Sequence, residues 1–249
     1  MASKSFTDFT VLYVPSGEKK EETNMILTQR LKLIYSIIPK CNTIADIGTD
    51  HGYIPIYCTL NGVCKAALAM DVNEGPLERA QAHIDKYNLG DKISTRLSDG
   101  LQKLAPGEAD VVVIAGMGGP LIAEIIESGK NVVTDNTTLI LQPMIAPKEL
   151  REYLYGSEFE ITDEYVCREE NKFYNIFKVK KGNFEPSQKD LFIGRNLKQN
   201  SPDDFGEYIE YKIRVAQKIL NGLKKSTGDK SADIALVENE LKIYREELK

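Results

Sequence analysis

Apolar residues recur in two rhythms along this chain. After Thr28, a residue suited to capping a helix, Leu31, Ile34 and Ile38 fall at helical spacing until Pro39 stops the pattern, which predicts a first helix. Short apolar runs at 44–47, 66–70, 93–97, 110–115 and 138–141 then read as strands. Between them, 54–60, 76–87 and 121–127 read as helices, with Pro55 tolerated in a first turn. Near-continuous apolar strands separated by helices predict a mostly parallel sheet covered on both faces. Residues 159–167 and 172–179, on either side of Arg168-Glu-Glu-Asn171, predict an antiparallel hairpin at its edge.

The pattern changes twice more. After Gly182 comes a polar linker containing Pro186, and Ser201-Pro202-Asp203-Asp204 then has the cap, proline and acids of a helix start. Ile209, Ile213, Ala216, Leu220 and Leu223 form one stripe; beyond Gly228, Ile234, Val237, Leu241, Tyr244 and Leu248 form a second. Two heptad-like stripes joined by a short break predict an antiparallel coiled-coil hairpin. The expected organisation is a leader over 1–24, an α/β domain over 25–182, and a linker with a helical domain over 183–249. The leader is mostly polar apart from 9–14, and reads as a tag or a disordered extension.

Composition narrows the class. The 249 residues are 42% apolar and 28% charged, enough for one sizeable core with a small appendage. No apolar run approaches the length of a membrane span, and none resembles a secretory signal, so no membrane partner is expected. Cys41, Cys58, Cys64 and Cys167 form no CxxC pair and there are only two histidines, which argues against a metal site and for a reducing, cytoplasmic setting. The net charge of −5 speaks against a polyanionic partner on average. Its distribution speaks the other way: 172–198 holds seven Lys/Arg against two acids, and 212–230 holds six against one.

In a doubly wound sheet the carboxyl ends of the strands hold the ligand. Four ends here carry distinctive residues: Asp46-Ile-Gly48-Thr-Asp50-His51-Gly52, then Asp71-Val72, then Ser98-Asp99-Gly100, then Ala115-Gly116-Met117-Gly118-Gly119. Gly48 lets a ligand approach the backbone, Asp71 can accept two ribose hydroxyls, and Asp99 can accept an adenine amino group. Two of the three glycines of a dinucleotide turn are missing, being replaced by Asp50 and Tyr53. An aspartate there repels a pyrophosphate but attracts a sulfonium or an ammonium, so S-adenosylmethionine, leaving as S-adenosylhomocysteine, is favoured over NAD. The residues expected to bind it are Asp46, Gly48, Asp50, Asp71, Val72, Asp99, Gly100, Ala115 and Gly116. His83, inside a helix beside Gln81 and Asp85, reads as a surface residue.

ADIGTDHGYIPIY, AMDVNEGPLERA, LSDGL, VVIAGMGG, LILQP and NKFYNIF resemble the bacterial tRNA adenine-N1 methyltransferases that modify adenine 22 of the D-loop. The resemblance runs from about Thr28 into the C-terminal hairpin. It departs at Gly52, where the family often has alanine, and at Thr49, where serine is common; both read as small-for-small exchanges. It implies a Rossmann-like class I methyltransferase with a C-terminal coiled coil, acting on tRNA; a monomer is expected. Adenine N1 is a ring nitrogen with an in-plane lone pair, so it needs alignment more than activation. A carboxylate would stabilise the cationic product, and Asp50 is the candidate, with His51 and Asn171 as polar contacts and Met117 and Gly118 shaping the transfer loop. For RNA the candidates are Lys172, Tyr174, Lys212, Arg214, Lys218, Lys224 and Lys225, with Phe173 or Tyr174 stacking a base. A methyltransferase with a non-RNA acceptor, its hairpin mediating dimerisation, and a catalytically silent RNA-binding module are the alternatives.

Overall fold

The computed structural model describes residues 25–249; the expected leader lies outside them. In chain order the elements are α1 (Gln29–Ile37), β1 (Thr43–Ile47), α2 (Tyr53–Leu60), β2 (Ala66–Asp71), α3 (Glu74–Lys86), β3 (Ile93–Leu97), β4 (Val111–Gly118) and α4 (Gly119–Ser128). They continue as β5 (Thr138–Ile145), α5 (Pro147–Gly156), β6 (Phe159–Glu169), β7 (Lys172–Lys181), the short α6 (Gln188–Phe192) and α7 (Leu197–Asn200), and the long α8 (Pro202–Leu223) and α9 (Ser231–Glu247).

The strands form one seven-stranded sheet in the order β3-β2-β1-β4-β5-β7-β6. β1 to β5 run parallel, and β7 pairs antiparallel with both β5 and β6. This is the expected Rossmann-like sheet with an antiparallel edge hairpin. The chain winds outward from β1 to β3, then returns to the other side of β1 as β4. The strand order therefore reverses between β1 and β4, which opens a crevice at their carboxyl ends.

Burial on both faces explains the apolar strands. Along β4, Val112 and Ile114 join one cluster with α4 and α5 residues, whereas Val111 and Val113 join the opposite cluster with residues of α1, α2 and α3. Thr28 caps α1 as expected, its hydroxyl accepting from Leu31 N at 3.4 Å.

Several boundaries move. β4 continues past the expected stop through Gly116, Met117 and Gly118, pairing with β5 across two register shifts. β5 likewise reaches Ile145, and its Pro143 lies opposite Met117 within that irregular stretch. α5, α6 and α7 had no counterpart in the hydrophobic pattern. The β6–β7 turn shortens to Glu170-Asn171, with Glu170 at φ +56°.

The C-terminal helices α8 and α9 pack as a hairpin around Ala216, Leu220, Val237, Leu241 and Tyr244. Ile213, Leu223 and Ile234 are only partly buried, and Leu248 is exposed because the helix ends before it. Ser201 starts α8 without capping it; its hydroxyl instead accepts from Val166 N of β6 at 2.9 Å. Val166 also shares a core with Phe192, Ile193, Leu197 and both long helices, so the hairpin is packed onto the outer strand. Beneath that contact, Arg151 of α5 and Glu164 of β6 form a fully buried ion pair.

Candidate active site

The turn after β1 hangs from the end of β2, because the amides of Gly48 and Thr49 both donate to Met70 O, at 2.8 and 2.9 Å. Gly48 is at φ +75°, and the Met117 methyl lies where a side chain on it would stand. The tips of β1 and β4, both expected in the site, are therefore in contact. On β4, Gly116 is at φ +81°, and Gly119 lies so close to the Ala146 carbonyl that any Cβ would collide with backbone. Two glycines of AGMGG thus answer a left-handed turn and a close backbone crossing.

Asp46 is buried at the end of β1, and no described residue donates a hydrogen bond of full geometry to its carboxylate. Burial pushes its pKa up to about 6, with Asp71 adding to the rise. Thr49 lies close enough to temper that shift, although its own buried hydroxyl completes no bond. A buried carboxylate without a full hydrogen-bond partner has the charge to accept a cationic group.

The remaining acids are more local. One Asp71 oxygen accepts from Asn73 N at 2.8 Å, and Val72 beside it is 58% exposed. Asp99 is exposed and takes a long bond of 3.4 Å from Gln102. Gly100 is buried at φ +53° against Ile125.

Asp50 and His51 are not independent groups. The Asp50 carboxylate accepts from Arg79 Nη2 at 2.5 Å and lies 3.2 Å from His51 Nε2. The His51 ring stacks on Tyr53 and His83, with centroids 5.2 and 5.4 Å away, and His83 Nδ1 is 3.0 Å from the His51 carbonyl. His83 is therefore half-buried and braces the loop, in contrast to the expected surface position. Helical spacing places it on α3 but does not reveal that the β1–α2 loop lies against that face.

Gly52 stands at φ +67° before α2. An alanine there would be strained, so the exchange with the family's residue is not neutral in this backbone.

Two polar residues had not been singled out. Gln142 is fully buried in β5; its Oε1 accepts from Gly116 N at 3.1 Å and from Arg30 Nη1 at 2.6 Å, while its Nε2 donates to Pro143 O. Arg30 of α1 lies 5.5 Å over the Tyr174 ring, and its backbone amide donates to Glu169 at 2.9 Å. A glutamine inside the apolar run LILQP was a usable signal for the first; nothing in the sequence pattern marked the second.

The candidate RNA-binding residues separate. Lys172 is exposed at the hairpin tip, and Tyr174 is half-buried on the site rim under Arg30. Phe173 points the other way, against Tyr208 and Tyr211 of α8, so it is not free to stack a base. Lys212 lies over Tyr244 and near Glu240, inside the hairpin packing rather than outside it. Lys224 is paired with Glu238 at 2.8 Å. Arg214, Lys218 and Lys225 share an exposed groove of about 640 Å³ along α8. Asn171 is exposed in the β6–β7 turn. Among the described residues no group of three or more His, Cys, Asp or Glu could hold a metal, and no helix is long and apolar enough to cross a membrane.

The chain matches the family model described as "Methyltransferase domain" over residues 27–177. It is 40% identical over 156 residues to the tRNA (adenine(22)-N(1))-methyltransferase of Bacillus subtilis; that match spans 63% of this chain and 66%, just under two thirds, of the relative. The solved B. subtilis m1A22 tRNA methyltransferase TrmK superposes with a TM-score of 0.79 at 30% identity, covering 90% of this chain and 99% of that one. TrmK of M. capricolum, solved with S-adenosyl-homocysteine described as its natural cofactor product, gives a TM-score of 0.73 at 27% identity over 89% and 97% of the two chains.

Proposed function

We infer, from the premise that this chain belongs to the methyltransferase-domain family and within it to the m1A22 tRNA methyltransferases, that it transfers a methyl group from S-adenosylmethionine to N1 of adenine 22 in tRNA. The observation that carries the reading is the meeting of Met117 with Gly48 over the buried Asp46, at the switch point of the sheet. Asp46 is a buried ionisable group without a full hydrogen-bond partner among the described residues, beneath the Gly48 turn, where a cationic amino-acid chain would lie.

Bound S-adenosylmethionine supplies an electrophilic methyl group and leaves as S-adenosylhomocysteine. Asp46 receives the positive charge of its tail, and Asp71, Val72, Asp99 and Gly100 line the nucleoside end. Ala115, Gly116, Met117 and Gly118 shape the floor on which the acceptor ring rests. A ring nitrogen with an in-plane lone pair needs this alignment and no general base. Asp50, shared between Arg79 and His51, faces the emerging cationic base with a charge already partly balanced. Its role is therefore to hold the loop and His51 in place as well as to steady charge.

The exposed groove of Arg214, Lys218 and Lys225, with Lys172 and Tyr174 at the rim, is the expected grip on the tRNA. That grip offsets the few kcal/mol that extruding a stacked base costs, on the order of one broken stack and pair. We propose a cytoplasmic enzyme acting as a monomer. The test is a cofactor titration followed by incubation of labelled S-adenosylmethionine with unmodified tRNA. Cofactor binding without label on RNA would favour a different acceptor, and label on an exocyclic amine would exclude attack by the ring nitrogen.

A further inference from the structure

Eight arginines occur in the chain, and six of them reach a carboxylate: Arg79, Arg96, Arg151, Arg168, Arg195 and Arg214. Arg245, near the C-terminus, bonds only Gln217. The remaining one, Arg30, stands on the transfer loop itself. Its Nη1 donates to Gln142 Oε1, the same oxygen that holds Gly116 N, and lies 3.8 Å from where a Cβ on Gly116 would be. Its guanidinium has no ion pair within 4.0 Å among the described residues, because Glu169 is engaged by the Arg30 backbone amide rather than by the side chain. Nε and Nη2 have no hydrogen-bond partner among those residues.

A guanidinium carries five donors in a fixed fork, and here one is spent on orientation. The Tyr174 ring beneath it and the buried Gln142 hold its plane, which reduces the conformational entropy lost when an anion binds. We infer that Arg30 is an anion anchor of the methyl-transfer site, receiving an anionic oxygen of a bound substrate, either a phosphate of the target nucleotide or the α-carboxylate of the cofactor. The inference rests on the methyl-transfer reading and adds to it a binding residue supplied by α1, outside the four strand ends.

The experiment compares the full-length chain with its Arg30→Ala and Arg30→Lys variants in two arms. The first measures binding of S-adenosylhomocysteine and of its decarboxylated analogue. The second measures KM for unmodified tRNA across a salt series. If phosphate is the anion, Arg30→Ala raises the tRNA KM about tenfold and shrinks the log–log salt slope by about 0.7, with S-adenosylhomocysteine affinity kept. If the carboxylate is the anion, the preference for S-adenosylhomocysteine over its decarboxylated analogue disappears and the salt slope stays. Arg30→Lys recovers part of either effect. Unchanged values in both arms overturn the inference, as does equal weakening of both cofactor analogues with an unchanged slope, which marks a merely structural residue. Wild-type protein that binds S-adenosylhomocysteine yet methylates no tRNA defeats the tRNA reading instead, and the first arm still decides the role of Arg30.

Discussion

The methyl group of Met117 packs against Gly48 where a side chain on that glycine would stand, joining the tip of β4 to the turn after β1. Gly48→Ala must therefore displace Met117 and also hold alanine at φ +75°. The expected result is a loss of about 1–2 kcal/mol of stability and a larger loss of S-adenosylhomocysteine affinity. Chemical denaturation and calorimetric titration measure the two; unchanged affinity would remove Gly48 from the site.

Asp46 links stability to pH. Its pKa in the folded chain is up to about 6 against an ordinary 3.8, so folding disfavours the ionised form. This cost is absent below about pH 4 and fully present above about pH 6, where it amounts to about 3 kcal/mol. Asp46→Asn should raise the melting temperature at pH 8 by several degrees while weakening cofactor binding. In the wild type, affinity should fall as pH drops below about 6, and that dependence should vanish in the variant. A variant that binds normally at pH 8 would contradict the assignment.

The Arg151–Glu164 pair should be costly to break singly. Three guanidinium contacts of 2.7 to 3.0 Å satisfy the carboxylate, and Arg151 also donates to the carbonyls of Leu191 and Ile193. Burial alone would lower the arginine's pKa, but the carboxylate outweighs it and keeps the guanidinium charged. Glu164→Gln or Arg151→Met should each cost about 3–5 kcal/mol in urea denaturation. Gly194→Ala should do similar damage, because Glu164 Oε2 lies 2.5 Å from the added Cβ and the backbone is at φ +120°. A loss below about 1 kcal/mol would mean that the pair is solvated.

Neutralising the α8 groove should weaken tRNA binding without touching cofactor binding. Arg214→Gln, Lys218→Gln and Lys225→Gln together should lower the log–log salt slope of tRNA affinity by about 2 to 3. Lys212→Gln should instead destabilise the hairpin, because its side chain covers Tyr244. Equal effects of the two changes on tRNA affinity would contradict this division.

Periodicity predicted the parallel core, the hairpin edge and the two C-terminal helices, because each buries a repeating apolar face. It stopped β4 too early, since Gly116 and Gly118 interrupt the apolar run around Met117 and this stretch pairs only through shifted registers. It missed α5, and it missed the one-turn helices α6 and α7, which pack on α9 and β6, elements distant in the chain. The acid- and glycine-tipped strand ends were legible as a set, and the structure brings two of them, Gly48 and Met117, into contact at the crevice. What could not be read was company: Arg79 on Asp50, His83 under His51, Arg30 and Gln142 on Gly116. Each joins residues 26 to 112 positions apart, a separation that no local pattern encodes.

The central claim is tested most directly by reacting the protein with S-adenosylmethionine and an unmodified tRNA, then locating the new methyl group by nuclease digestion and mass spectrometry. The account predicts 1-methyladenosine at position 22 and its absence from a transcript in which that adenine is replaced by guanine. Methylation at another base, at an exocyclic amine, or on no RNA by a protein that binds S-adenosylhomocysteine would contradict it.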